Sequence, residues 1–169
     1  MLLATTNWVN GKDFLPLSLN EDNIEYQCCN DFTLRYGFVI KVAEIGWYAP
    51  ACDDTSLLKS NNKILRFHYF KDVKADFFKQ SAEEYFLLNL DNRAQQTALL
   101  APLKNFNDGY TNIQPGEFFQ LVHTNQNKLS LYRNKDLLAS TENADIATKY
   151  FNIWFGKIPV IEKLKKAFL

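Results

Sequence analysis

Two histidines, three cysteines and a scatter of carboxylates and cations are the side chains with chemistry to offer in this chain of 169 residues. His68 and His123 each fall in an alternating apolar run, and neither stands beside a cysteine or a carboxylate motif. A histidine on a sheet face is ordinarily packed or solvated rather than catalytic, and that reading is preferred for both. GxSxG and HExxH are missing, and neither a Gly-rich phosphate loop nor a dinucleotide fingerprint follows an apolar run. Triad hydrolysis, zinc peptidase chemistry and nucleotide enzymology are therefore disfavoured. Glu83 and Glu84 are adjacent, and on a helix they would diverge by about 100°, too far to act as acid and base on one substrate. Cys28, Cys29 and Cys52 form no CxxC pair, so no metal site is expected. Their odd count, with one adjacent pair, is not the even framework of a disulfide scaffold. Nothing near Cys28 and Cys29 would lower a thiol pKa, and burial is the expected fate of both.

Arg35 and Lys41 stand apart because they interrupt an otherwise apolar, aromatic stretch. There a cation can be aimed into an apolar pocket to hold a carboxylate. In the competing reading both snorkel from a sheet face into water. Trp154, in NIWFG, can line a pocket, although a Trp on an amphipathic helix usually belongs to the core.

These residues must be positioned by a short list of elements. The first 30 residues are polar and irregular apart from Phe14 to Leu19, and they read as an N-terminal arm with one short strand, edging the sheet of a single domain over 31–169. Thr33 to Tyr48 (TLRYGFVIKVAEIGWY) predicts one long strand, or two joined by a bulge at Gly37, ended by Pro50 and the Asp53-Asp54 pair. Lys63 to Tyr69 alternates strictly, with Leu65, Phe67 and Tyr69 on one face and Arg66 and His68 on the other. The period then becomes helical: Phe78, Ala82 and Tyr85 make a stripe behind a cap at Asp72 or Asp76. Asp91 is placed to cap a second helix, which Pro102 must kink or end near Phe106. After the Asn107-Asp108-Gly109 turn, Phe118 to Thr124, Lys128 to Arg133 and Leu137 to Ser140 predict a three-stranded meander, with turns at Asn125-Gln126-Asn127 and Asn134-Lys135-Asp136. From Glu142 one helical stripe of Ile146, Ala147, Tyr150, Phe151 and Trp154 runs to a cap at Gly156. Pro159 then opens a last helix, with Val160, Leu164, Ala167 and Phe168 inward.

Hydrophobic residues are 47% of the chain and aromatics 15%, enough to build a core, so disorder is excluded for most of it. Lys plus Arg and Asp plus Glu are 19 each, with no run of either sign, and nucleic acid is an unexpected partner. No window approaches the ~18 apolar residues of a membrane span. MLLATTNWVN lacks the basic residues and apolar run of an intact signal peptide. The chain reads as cytoplasmic if Met1 is the native start and periplasmic if a leader was trimmed.

Three segments together resemble the chalcone isomerase family, in its bacterial chalcone-isomerase-like branch. They are GFVIKVAEIGWYAP (Gly37 to Pro50), ILRFHYFKDVKADFFKQSAEE (Ile64 to Glu84) and the block from Ile113, where IQPGEFFQLV, the NKD turn and FNIWFGKIPVIEKLKKAFL follow in the family's order. Trp154, Gly156 and Pro159 before a short terminal helix are its most specific spacing. The resemblance implies an α+β fold, an open-faced antiparallel sheet covered by a helical layer, with a ligand cleft between them. In the plant enzymes Arg, Thr, Tyr, Asn and a second Thr or Ser polarise the substrate for ring closure by stabilising developing oxyanions. Set on this sequence, the strand Thr falls on Ala43, the Arg near Asp31, the Tyr on Phe77, the Asn on Glu84 and the terminal Thr on Ile153. None of these keeps the chemistry. An offset of a few residues between Cys28 and Phe38 would instead give Arg35 the arginine role.

The resulting expectation is a chalcone-isomerase-like protein that has lost the family's catalytic residues and binds a small apolar ligand, such as a fatty acid, with no cofactor. Arg35 or Lys41 would anchor a carboxylate, and Tyr48, Phe77, Tyr85 and Trp154 would form the walls. The alternatives are an isomerase or intramolecular lyase using another set (Arg35, Lys41, Tyr48, His68), or a structural module whose sheet packs on a partner chain.

Overall fold

Each alternating apolar run of the chain becomes a strand. The computed structural model describes residues 14–53, 58–124 and 127–169. Among these, β1 (Ser18–Glu21), β2 (Ile24–Tyr36), β3 (Ile40–Ala49), β4 (Lys63–Tyr69), β5 (Phe118–Thr124), β6 (Lys128–Arg133) and β7 (Asp136–Thr141) form one curled sheet. The strands lie in chain order and every neighbouring pair is antiparallel. Two helices, α1 (Ala75–Leu88) and α2 (Arg93–Asn107), are inserted between β4 and β5, and α3 (Ala144–Lys149), α4 (Asn152–Phe155) and α5 (Glu162–Phe168) follow the sheet. The fold is α+β, as expected. No helix among the described residues is long and apolar enough to cross a membrane.

The stretch from Thr33 to Tyr48 is neither one strand nor two joined by a bulge at Gly37. Gly37, at φ +62°, turns the chain back on itself, and β2 and β3 form a hairpin. A glycine in the left-handed region serves a tight turn as well as a bulge, and alternation alone does not separate the two. The register shifts lie instead between Cys28 and Asn30 and between Leu34 and Arg35. β2 runs unbroken through position 30, so residues 18–30 belong to the sheet as β1 and the first half of β2. Of the two other turns expected in the meander, Asn125 and Gln126 lie outside the described residues, and Asn134, at φ 53°, turns β6 into β7.

The helix starts differ from expectation in their caps. Neither Asp72 nor Asp76 caps α1: Lys74 occupies the N-cap without a side-chain bond, and Asn112 Oδ1 accepts from the Ala75 N–H at 2.9 Å. A cap supplied from 37 residues away leaves no local signature. Asn92, not Asp91, caps α2, accepting from the Gln95 N–H at 3.0 Å, and the helix runs through Pro102 to Asn107. The single helix expected from Glu142 is two, broken at Tyr150 and Phe151. α5 begins at Glu162, later than Pro159, and Ala167 points to solvent. The segment before α5 is extended at Ile161 and held by the Val160 N–H donating to the Ile153 carbonyl at 2.8 Å.

The main core lies between the inner sheet face (Ile45, Leu65, Phe67, Leu121, Leu131) and the helices (Phe86, Leu103, Tyr150, Phe151). On the outer face Tyr26, Tyr48, Ile64 and Val122 form a second, smaller cluster, so part of that face is also buried. The cysteines depart most from expectation: Cys29 and Cys52 form a disulfide, with Cα atoms 5.1 Å apart. Cys29 is the unpaired residue of the bulge between Cys28 and Asn30, and Cys52 follows the end of the partner strand β3. The pairing depends on that bulge and hairpin, which composition does not reveal.

Candidate functional site

Close packing leaves few voids larger than a water molecule inside a protein. Here a cavity of about 190 Å³ opens between the inner sheet face and the helical layer. Alternation along β4 sends Phe67 and Tyr69 into it, and β5 contributes Phe119 and Leu121. The helical period of α1 brings Phe77, Phe78, Ser81 and Ala82 to the facing side, where Ser81 and Ala82 are too short to fill the space. Ile153 and Trp154 of α4 and the extended Val160 and Ile161 close another wall. Because that segment is not yet helical, its side chains reach the cavity rather than following a helix face. The walls are braced by ring contacts: Phe78 to Phe119 edge-on at 5.0 Å and Phe67 to Trp154 at 5.1 Å.

No charged side chain lines the cavity among the described residues. Its polar lining groups are neutral: the hydroxyls of Tyr69, Ser81 and Tyr110 and the indole N–H of Trp154. Tyr69 is buried and makes no hydrogen bond among the described residues. Burial, reinforced by nearby Tyr110, holds its pKa well above the usual phenol value. Tyr150 donates to Asn107 Oδ1 at 2.6 Å and lies 3.2 Å from the Tyr110 hydroxyl. A phenol has one hydrogen, so with Tyr150 committed to Asn107 the Tyr110 hydroxyl is left to donate to Tyr150 and keeps lone pairs to accept. Burial pushes the Tyr110 pKa up to about 12. Both phenols therefore stay neutral at physiological pH. As lining residues they bring neutral hydroxyls, not charges, to the cavity wall.

Of the six side chains singled out from the sequence, Phe77 and Trp154 line the cavity, Phe77 at its exposed rim. Arg35 is exposed at the end of β2, next to the cavity residue Leu34. Lys41 lies on the outer face of the sheet, paired with Glu44, its ammonium 4.4 Å from the centre of the Phe70 ring. The register shift explains this. Leu34 pairs with Ala43 and Arg35 with Lys41, leaving Val42 as the extra residue, so Lys41 turns away from the face that alternation from Ala43 would assign. Tyr48 is buried on the outer face, donating to the Pro16 carbonyl at 2.9 Å. Tyr85 packs on the core about one turn along α1 from the cavity. His68 is stacked on Phe14 at 4.8 Å on the outer face, and His123 is buried near Phe151. Of the positions matched to the plant enzymes' catalytic residues, Phe77 and Ile153 line the cavity, Ala43 is in the core, and Asp31 and Glu84 are exposed.

Tyr69 and Tyr110 were missed as site residues. The signal for Tyr69 was present, since strict alternation already put it on one face with Leu65 and Phe67. Tyr110 follows a turn, and no periodicity points to it.

Among curated proteins no sequence matches this chain. Among solved structures it is similar to a fatty-acid binding protein from Arabidopsis thaliana, with a TM-score of 0.66 and 14% identity over 95% of this chain and 94% of that one. That likeness concerns the fold. A model of chalcone isomerase-like proteins matches residues 21–169, nearly the whole of the region that carries the sheet, the helices and the cavity. The chain belongs to the chalcone isomerase-like family.

Proposed function

We propose that this protein is a non-catalytic binder of a small apolar ligand, and that a fatty acid is the class to test first. The observation that carries the reading is an aromatic and aliphatic cavity without a charged wall among the described residues. An acyl chain gains about 0.8 kcal/mol for each methylene moved from water into such a site. A carboxylate does not belong inside, because an unpaired charge in apolar surroundings is strongly penalised. The chain would enter first and the carboxylate would stay at the rim. There the exposed Arg35, next in the chain to Leu34, and the exposed Lys74, whose carbonyl accepts from the Phe77 N–H at 3.1 Å, are the cations to test as its partner. Lys41, already paired with Glu44, has no part in it. The similarity to a fatty-acid binding protein supports the ligand class.

The experiment compares dodecanoate with dodecanol by calorimetry and Trp fluorescence, after native mass spectrometry of the purified protein for a copurifying acyl compound. Saturable binding of both is expected. Arg35→Ala should weaken the acid severalfold and leave the alcohol unchanged, while Lys41→Ala changes neither. Ser81→Phe, which fills the cavity from α1, should abolish both. If neither compound binds saturably, the reading fails.

A further inference from the structure

The turns of this sheet are not alike. β1 and β2 are joined by Asp22-Asn23, both at positive φ, and β6 and β7 by Asn134-Lys135, of which Asn134 is at positive φ; these are polar residues suited to a two-residue hairpin. The β2–β3 turn is Gly37-Phe38-Val39, and only Gly37 there serves the turn. The apolar side chains around it face water: Phe38 is 97% exposed, Val39 83%, Tyr36 77% and Ile40 46%. Phe38 and Val39, at the very tip, lie almost wholly outside the fold.

The surroundings of the tip say what it fits. Leu34 and Val42, at the foot of this hairpin, both line the cavity, and so does Phe77, itself 62% exposed. The tip is thus continuous with the cavity rim. Arg35 and Lys41 face each other across the hairpin just behind it. The link from β4 to α1 is held beside the same foot by the Phe70 N–H donating to the Val42 carbonyl at 2.9 Å, and it carries Lys71 and Lys74. Asp72 and Asp76 close to them offset part of this charge, and Glu44 neutralises Lys41. An apolar tip with an aromatic residue at its edge and cations set behind it matches the layering of a bilayer, hydrocarbon below and anionic headgroups above.

We propose that the β2–β3 hairpin tip docks this protein on a lipid bilayer, with the cavity rim held at the membrane surface where an apolar ligand can cross without passing through water. Docking stands on the exposed tip and the cations behind it, and only the passage of a ligand rests on the proposed binding function. It is therefore tested without any fatty acid, and its failure is distinct from failure of ligand binding.

The test is sedimentation of the full chain with vesicles of phosphatidylcholine, alone and mixed with phosphatidylglycerol. Wild type should sediment with both, more strongly with the anionic mixture and less at high salt. The double variant Phe38→Ser/Val39→Ser should lose affinity on the order of tenfold or more while keeping its thermal midpoint, since the tip is outside the core. A Phe38→Trp variant reports directly, its emission shifting to the blue when vesicles are added. Wild type that does not sediment, a double variant that sediments equally, or a Phe38→Trp variant whose emission does not shift overturns the proposal. So does concentration-dependent dimerisation that the double variant abolishes without vesicles, which would make the tip a self-interface.

Discussion

A histidine held neutral by its surroundings makes a folded protein sensitive to acid, and His123 is in that position. It is 2% exposed, and neither ring nitrogen has a hydrogen-bond partner among the described residues. Burial first, and Lys63 opposite it on β4 second, push its pKa down to about 4. An unfolded chain protonates the same side chain near its ordinary value of about 6.5. Between these values the unfolded state binds the extra proton, so stability is complete above about pH 6.5 and falls as the pH drops towards 4, by up to about 3 kcal/mol. His68, lowered by burial between Phe14 and Phe70, adds in the same direction. Urea unfolding from pH 7.5 down to pH 4.5 should show this slope. His123→Phe, which keeps a ring beside Phe151, should flatten much of it; an unchanged slope would exclude His123 as its source. The sequence placed both histidines on strands and preferred a packed role, which the burial supports, but the missing partners depend on neighbours far along the chain.

At the scale of elements, the Cys29–Cys52 disulfide ties the bulge of β2 to the chain leaving β3, over a separation of 23 residues. A loop of that length loses enough freedom in the unfolded chain for the link to stabilise the fold by about 3 kcal/mol. For a domain of this size the thermal midpoint should fall by about 10 °C on reduction, and Cys29→Ser/Cys52→Ser should reproduce the fall and abolish the response to reductant. If the reduced and oxidised proteins melt together, the link adds no stability. Cys28, one residue away, stays outside the pair because strand alternation aims it at the opposite face, with Tyr48 and Ile64. The strands were legible because their alternation is local: β4 to β7 lie where the sequence put them. What was not legible came from elsewhere in the chain. Asn112 caps α1 from a distant loop, and a hairpin and its bulge bring two ordinary cysteines together.

At the scale of the whole molecule, the cavity is the space between a strand face and a helix face, each half of which the sequence showed separately. Phe77 could be found because the family resemblance matched it to the plant enzymes' tyrosine, and Trp154 because it sits in a specific C-terminal motif. Lys41 was misdirected by one extra residue, Val42, since a single bulge exchanges the faces of everything beyond it. An internal void also sets a last expectation. Lining groups around an empty space lack the contacts that a packed interior would supply, so a ligand that fills it binds the folded state and not the unfolded one. At a free concentration of 100 times its dissociation constant such a ligand stabilises the fold by about 2.7 kcal/mol, which for this chain length raises the thermal midpoint by roughly 5–10 °C. Across saturated acids of increasing length the shift should grow with each methylene and then level off once the chain outgrows the cavity. In Ser81→Phe the apo midpoint should rise and the ligand-induced shift disappear, because the added ring makes the contacts the ligand would have made. A shift that persists in Ser81→Phe would locate the binding site away from this cavity.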